Sequence, residues 1–531
     1  MGAQEHIGLE RKNSMNRIAV VDVTEQSVSL LEDDGTEYGR GLAVKLLKQY
    51  MTDNVFVITP GLLTGTPVPC ATRATIIGKG KTEREIFVSN ISGDFPQKLA
   101  SMHLSGLVVK GTSENKNTVI YLEKEKISFW DCPELQNRCC KEVVSYIRDK
   151  WGNTCAVIGR GPASDHYYPT SSLFVTYPHG KPEFSCPRSS TGVTLAQIGI
   201  RAIVIQQNRY FQGICEEREG LLNNGKKLAR YILDDPICGG ALPGLGSITL
   251  LHLLKNQKNL KEILENKKEE GKVESRKSAE RINYCCAPMC VIGCLNRHSK
   301  ENGNIYSSPE ESEIQAATET CFQNELSREN LESCTAYLSQ KGMEIGVNMI
   351  ELIFAMRLYF DAVKEQPSVE RIKELIQEVE KATVLGRVLA GGTRRVCEIF
   401  SEQAGIQGKV TQKAVTKEKQ YQSKINLDLL YQEIFLFENF GICIFSSFAL
   451  LNKEEPLRTL AELFRNKTGK ETNVKGLLQY SAECLKREEE LWKELNMENN
   501  IKAIPEFVKV LYNYFENTET ISENKSKIGQ V

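Results

Sequence analysis

The spacing of apolar residues changes at about Phe211, so this 531-residue chain reads as two kinds of structure in series. From Arg17 to about Asn208 short β-branched runs recur: RIAVVDV, SVSLL, NVFVIT, ATIIG, REIFVSN, LSGLVVKG, NTVIYLE, KISFW, CAVIG and RAIVIQ. Gly, Asn and Asp punctuate them, the pattern of strands joined by turns. One helix is expected among them, from about Pro133 to Lys150. Beyond Phe211 apolar residues recur at helical spacing in Asn223–Leu233, Ile248–Leu264, Arg328–Lys341, Met349–Val363, Val369–Val384 and Val474–Leu495.

The expected fold class is therefore α+β, a β-rich N-terminal domain followed by an α-helical remainder. The length is more than one ordinary core holds, and two or three domains are expected. The boundaries read as a loose leader over 1–16, a β-rich domain over 17–208, a helical domain over 209–406 and a shorter helical domain over 407–531. Met15 marks where the folded chain could begin. The polar stretches Lys255 to Arg281 and Gly408 to Lys424 read as solvated faces or loops. The tail Glu516–Val531 reads as frayed.

Charge excludes some partners. Lys plus Arg number 67 against 68 Asp plus Glu, which leaves no field to attract nucleic acid or an anionic membrane. No apolar stretch is long enough to span a bilayer, and the N-terminus lacks the apolar core of a secretory signal. Gly2 is not a myristoylation site, because His6 stands where Ser or Thr is needed. Seventeen cysteines without an export signal point to reduced thiols in a cytoplasm, and most, such as Cys70, Cys155 and Cys397, read as small buried apolar residues.

Four cysteines stand apart. Cys286, Cys290 and Cys294 are separated by three residues each, and Cys443 lies far downstream in the phrase Glu438-Asn-Phe-Gly-Ile-Cys443. Three thiolates from one short segment and a fourth from a distant one suit a four-coordinate soft metal centre such as an iron–sulfur cluster. Zinc held by Cys290, Cys294 and His298 at four-residue steps, or no metal at all, are the other readings of this spacing. Cys285 competes with Cys286 as the first ligand.

Small residues beside donors form a second constellation: Gly39-Arg40-Gly41, Thr64-Gly65-Thr66, Arg73, Ser89-Asn90-Ile-Ser92-Gly93 and Pro187-Arg188-Ser-Ser-Thr-Gly192. Glycine lets backbone N–H groups approach an anion, and arginine grips one bidentately. Gly80-Lys81-Thr82 is not a P-loop, since Thr75 falls where its first glycine belongs.

Taken in order, GRGLAVKLL, LLTGTPVPCATRA, VSNISGDF, LSGLVVKGT, AVIGRGPAS and PRSSTGV resemble the N-terminal domain of the aldehyde ferredoxin oxidoreductase family. DDPICGGALPGLGS, CAPMCVIGC, PEESE, KGMEIGVNMIELIFAM and FGICIFSSFAL continue the resemblance, from about Arg17 to Leu495. It implies a 4Fe-4S cluster on Cys286, Cys290, Cys294 and Cys443, beside tungsten or molybdenum between two pterins (a bis-pterin cofactor). It also implies oxidation of a small aldehyde-type substrate, with ferredoxin or a similar carrier taking the electrons, and leaves a homodimer open. The family's pterin-binding residues fall on Arg73, Asn90, Gly93 and Arg188. Two helical motifs map to Ser339-Gln-Lys-Gly342-Met343-Glu344 and to Glu438-Asn-Phe-Gly441-Ile442-Cys443, so Glu344, Glu438 and Gly441 join the cofactor-binding set.

The departures matter as much. Ser339 brings no carboxylate, whereas Glu344 and Glu438 can accept pterin N–H bonds at a longer reach. Between Thr393-Arg394-Arg395 and Glu438 the family carries a long segment with an active-site histidine; here a short polar stretch remains, and all six histidines lie at or before His298. The family's acidic partner is sought at Glu310 or Glu313, as general acid–base, although carboxylates also suit the first turn of a helix. The alternative function is a non-catalytic paralogue that keeps the cluster as an electron-transfer or assembly protein.

Overall fold

The computed structural model describes residues 4–8, 16–51, 54–79, 86–124, 126–178, 180, 182–186, 191–211, 214–250, 285–300, 303–404 and 426–495. The chain folds as the apolar spacing predicts, into two large sheets and then helices. One sheet has the strand order β3-β2-β7-β4-β5-β6. Its members are β2 (Arg17–Asp22), β3 (Ser27–Glu32), β4 (Val55–Pro60), β5 (Ala74–Lys79), β6 (Ile86–Ile91) and β7 (Leu104–Lys110). The other has the order β1-β9-β8-β13-β10-β11-β12. It is built from β1 (Gln4–Gly8), β8 (Thr118–Glu123), β9 (Lys126–Asp131), β10 (Ala156–Arg160), β11 (Leu173–Thr176), β12 (Phe184–Ser185) and β13 (Ile200–Gln206). Most neighbours run antiparallel; β2 with β7 and β8 with β13 run parallel.

Helices Phe95–Ser101 and Gly192–Ile198, in which every residue is buried, share one core with both sheets. Phe95, Leu99, Leu195 and Ile198 there meet Phe56 and Ile58 of one sheet and Ile120 and Ile203 of the other. Alternation along the strands sends the opposite set outward, where Val20, Val57 and Ile77 pack on Leu42, Leu46 and Leu47 of helix Gly39–Tyr50 and on Leu491 and Trp492 of helix Val474–Glu494. Helix Cys140–Trp151 covers the other sheet through Val143, Val144 and Ile147.

Among the described residues four helices of seven residues or more thus lie among these strands, not one. Gly39, Pro96 and Gly192 stand at the starts of the three that apolar spacing does not reveal, and glycine and proline in the sequence also signal turns. Gly39-Arg40-Gly41 is in fact the first turn of a helix. Proline at the start of Phe95–Ser101 costs nothing, since its missing N–H has no helical partner there. Within the segment read as a loose leader, Gln4–Gly8 forms β1 and pairs antiparallel with β9.

The helical half contains Arg218–Asp234, Glu310–Phe322, Arg328–Ile345, Met349–Val363, Val369–Glu380, Leu427–Phe440, Glu454–Thr468 and Val474–Glu494 among its longer helices. A hairpin of β14 (Asn296–Lys300) and β15 (Gly303–Ser307) leads into the second of these. Ile248–Leu264 falls largely outside the described residues, as do both polar stretches and the tail. No helix among the described residues is long and apolar enough to cross a membrane.

Candidate metal centre

The segment that carries Cys443 is stitched to the β-rich half residue by residue. Helix Leu427–Phe440 ends at Gly441, whose φ of +75° lets the chain reverse. Asn439 O and Phe440 O accept the N–H groups of Leu62 and Leu63 at 3.0 and 3.1 Å, and Gly441 O accepts those of Thr72 and Arg73 at 2.8 and 2.9 Å. The Cys443 N–H then donates to Cys70 O at 2.8 Å, and the Cys70 N–H donates to Met289 O at 2.9 Å. One hydrogen-bonded path therefore joins the cysteine loop, the Cys70 turn and Cys443.

Arg73 occupies the centre. Its Nη2 donates to Cys443 Sγ at 3.2 Å. Burial alone would depress its pKa, but the sulfurs of Cys443 and Cys286 outweigh that and hold the guanidinium firmly charged. Its Nε is buried and has no hydrogen-bond partner among the described residues.

The thiols of the cysteine loop meet one another. Contact with Cys290, then burial, pushes the Cys286 thiol far above its ordinary pKa, against the pull of Arg73. Burial, then the nearby Cys286 and Cys443, does the same to Cys294. For Cys290 the contact with Cys286 works downward, and is overcome by contact with Cys70 and by burial. Cys285, pushed up to about 12 by burial and by Cys286, is a neighbour of Cys286. Thiols so reluctant to ionise in the bare protein are stabilised as thiolates by a bound cation. Among the described residues no three His, Cys, Asp or Glu side chains converge on a point that would hold a single metal ion. A cubane makes a different demand, one thiolate at each of four corners.

Of Asn90, Gly93, Glu438 and Gly441, two bind each other. Asn90 Nδ2 donates to Glu438 Oε1 at 2.7 Å, and Arg40 Nη1 donates to Glu438 Oε2 at 2.6 Å. Arg40 is itself clamped by Glu488, through Nε at 2.7 Å and Nη2 at 2.6 Å. Burial would depress the Arg40 pKa, and the two glutamates more than reverse it. A Cβ on Gly93 would stand 2.5 Å from Thr176 O, so glycine is required for β11 to approach. Arg40, read above within the second constellation by its place between two glycines, was not among the cofactor-binding residues.

Glu344 stands elsewhere. It accepts from Gln340 Nε2 at 2.7 Å and pairs with Lys341 Nζ at 2.9 Å on a partly exposed helix face. Ser339, Gly342 and Met343 of the same motif line a narrow cavity of about 20 Å³ together with Cys186 and Glu310; Glu344 does not line it. Glu310 accepts from Ser185 Oγ at 3.0 Å. Ser185 also hydrogen-bonds Tyr177, whose pKa is driven far up by burial, then by Glu310 and Cys286. Glu313, half-buried, lies in the same first helical turn as Glu310. Arg188 and the side chain of His298 lie outside the described residues.

Residues 18–207 match the family model for the aldehyde ferredoxin oxidoreductase N-terminal domain. Over those residues the chain carries an aldehyde ferredoxin oxidoreductase N-terminal domain. The chain is 24% identical over 388 residues to the tungsten-containing aldehyde ferredoxin oxidoreductase of Thermococcus kodakarensis. That alignment covers 68% of this chain and 62% of the relative, less than two thirds of the relative's length. A solved structure, the active site complex BamBC of benzoyl coenzyme A reductase in complex with 1,5-dienoyl-CoA, matches in fold, with a TM-score of 0.69, 15% identity and 94% of each chain covered.

Proposed function

We propose that this chain is an oxidoreductase that passes electrons from a small aldehyde-type substrate, through a 4Fe-4S cluster held by Cys286, Cys290, Cys294 and Cys443, to ferredoxin or a similar carrier. The buried Nε of Arg73, without a partner among the described residues, carries this reading, because its guanidinium already serves Cys443 and still has a donor to give. Cys286, not Cys285, is the first ligand in this reading, since Arg73 and Cys294 both feel its sulfur.

When bound, the cluster supplies one-electron transfer and a tungsten or molybdenum pterin supplies the oxidation of substrate. Arg73 offsets the negative charge of the thiolates in a partly buried region. Glu310, held by Ser185 beside the cavity that Met343 lines, is placed to accept and return a proton. Tyr177, packed against Cys286 and Leu295, closes the same side to solvent.

The fit to a pterin is incomplete. Both oxygens of Glu438 are taken by Asn90 and Arg40, and Glu344 is engaged on a helix face. That favours a second reading, in which the chain keeps the cluster and serves as an electron-transfer or assembly protein. Anaerobic purification of the full chain, followed by metal analysis, separates the two. Tungsten or molybdenum with about four irons per chain, the content of one cubane, supports the enzyme; iron alone supports the second reading. Zinc without iron would sink both.

A further inference from the structure

Two of the chain's three tryptophans, Trp130 of β9 and Trp151 of helix Cys140–Trp151, meet edge to face with ring centres 5.9 Å apart. Between them they hold a charge. Lys150, in the last turn of that helix, sets its Nζ 4.7 Å from the centre of the Trp130 ring, 4.8 Å from Trp151 and 5.5 Å from Tyr146. A cation is drawn to the negative face of an aromatic ring, so three rings confine a side chain that is ordinarily free to move.

The ammonium so confined stands beside a thiol. Cys132 directly follows β9 and is fully buried. Its Sγ lies 3.9 Å from Lys150 Nζ and 3.9 Å from the Tyr146 hydroxyl, which also hydrogen-bonds Glu134. Lys150 Nζ and Tyr146 OH are 3.4 Å apart. Burial raises the Cys132 pKa, and Lys150, then Tyr146, pull it back.

We propose that Cys132 and Lys150 form a covalent sulfur–oxygen–nitrogen bridge when the chain meets hydrogen peroxide. One peroxide converts the thiol to sulfenic acid; its second oxygen leaves as water, and the sulfur loses two electrons. The Lys150 ammonium gives one proton to solvent. A second peroxide then takes the S–OH hydrogen and one hydrogen of the amine and leaves as two waters. The nitrogen loses two electrons and keeps the sulfenic oxygen, which now joins it to sulfur. The bridge ties the end of β9 to the last turn of the helix, and excess dithiothreitol returns thiol, amine and water.

The test uses the full chain, purified without oxygen, treated with hydrogen peroxide, digested with trypsin and read by mass spectrometry. The expected product joins the peptides of Cys132 and Lys150, with one oxygen gained and two hydrogens lost, and dithiothreitol separates them. Lys150→Arg keeps a cation over the rings but has no primary amine, so the joined peptide should vanish and Cys132 should stop at an oxygen acid. Cys132→Ser should lose the product as well. Cys155→Ser, which removes a thiol that faces Gln206, should keep it. Wild-type peptides that stay separate, or a joined peptide that survives in Lys150→Arg, would overturn the proposal. Iron does not enter this readout, so the bridge and the cluster reading fail independently.

Discussion

Arg73 grips the Cys443 segment twice, donating from its side chain to the Cys443 sulfur at 3.2 Å and from its own N–H to Gly441 O, two residues earlier, at 2.9 Å. The sulfur is thus fixed relative to β5 and not merely to its own loop. Cys443→Ser is expected to remove most of the iron and the broad visible absorbance while leaving far-ultraviolet circular dichroism intact. Unchanged absorbance would show that Cys443 is not a ligand.

Arg73→Gln removes a buried positive charge that feels both Cys443 and Cys286. The reduced, more negative cluster loses more from this than the oxidised one, so the midpoint potential should move to more negative values. The size of the move should depend little on salt, because the pair is buried. A shift in the opposite direction would mean that Arg73 does not face the cluster.

Glu310→Gln keeps the shape and the hydrogen bond from Ser185 but removes the capacity to accept a proton. Turnover of an aldehyde substrate is expected to fall by roughly 10²–10⁴, the usual worth of a general acid–base group. Iron content should not change. Wild-type turnover in this variant would return Glu310 to the role of an N-terminal helix carboxylate.

Gly61 makes the closest approach between the two halves. A Cβ there would stand 2.0 Å from Gly441 N, against backbone that cannot swing aside. Gly61→Ala is expected to destabilise the chain by about 1–3 kcal/mol or more through overpacking. It should also lower iron content, because Gly441 leads directly to Cys443. Denaturant unfolding with parallel iron analysis checks both.

Much of this was legible in the sequence. All ten β-branched runs became strands, and Met349–Val363 became a helix with the expected ends, because local spacing decides those elements. The order of phrases also singled out Arg73 and Cys443, whose side chains meet. Local spacing cannot show that Glu438 spends both oxygens on Asn90 and Arg40, residues some 350–400 positions away. Nor can it show that Glu344 settles on Lys341, one turn away on the same helix. Cys70 read as a small buried apolar residue, and burial was right; its contact with Cys290 depends on tertiary placement alone.

Glu433 gives a pH dependence. It is 2% exposed, and burial lifts its pKa from 4.5 to about 7, partly opposed by the Asn452 N–H that donates to it at 2.7 Å. The folded chain therefore holds a proton there that the unfolded chain has already released. Stability should fall as pH rises from about 4.5 to about 7 and stay lower above that, by up to ~3 kcal/mol. Glu433→Gln keeps an acceptor for Asn452 and should flatten this slope and raise the unfolding midpoint at pH 8. An unchanged slope would place the titrating group elsewhere.

The bond between Arg73 and Cys443 joins residues 370 positions apart. During synthesis, Cys294 leaves the ribosome roughly 10–30 s before Cys443 does, at ordinary elongation rates. Through that interval the nascent chain displays three neighbouring thiols with neither their fourth companion nor the strand of main chain that seals them in. Oxidants and stray zinc have first access, so under the proposed cluster reading the order of events in the cell matters: iron would have to be delivered late, to a finished polypeptide, or the early thiols kept shielded by a chaperone until translation has passed Cys443.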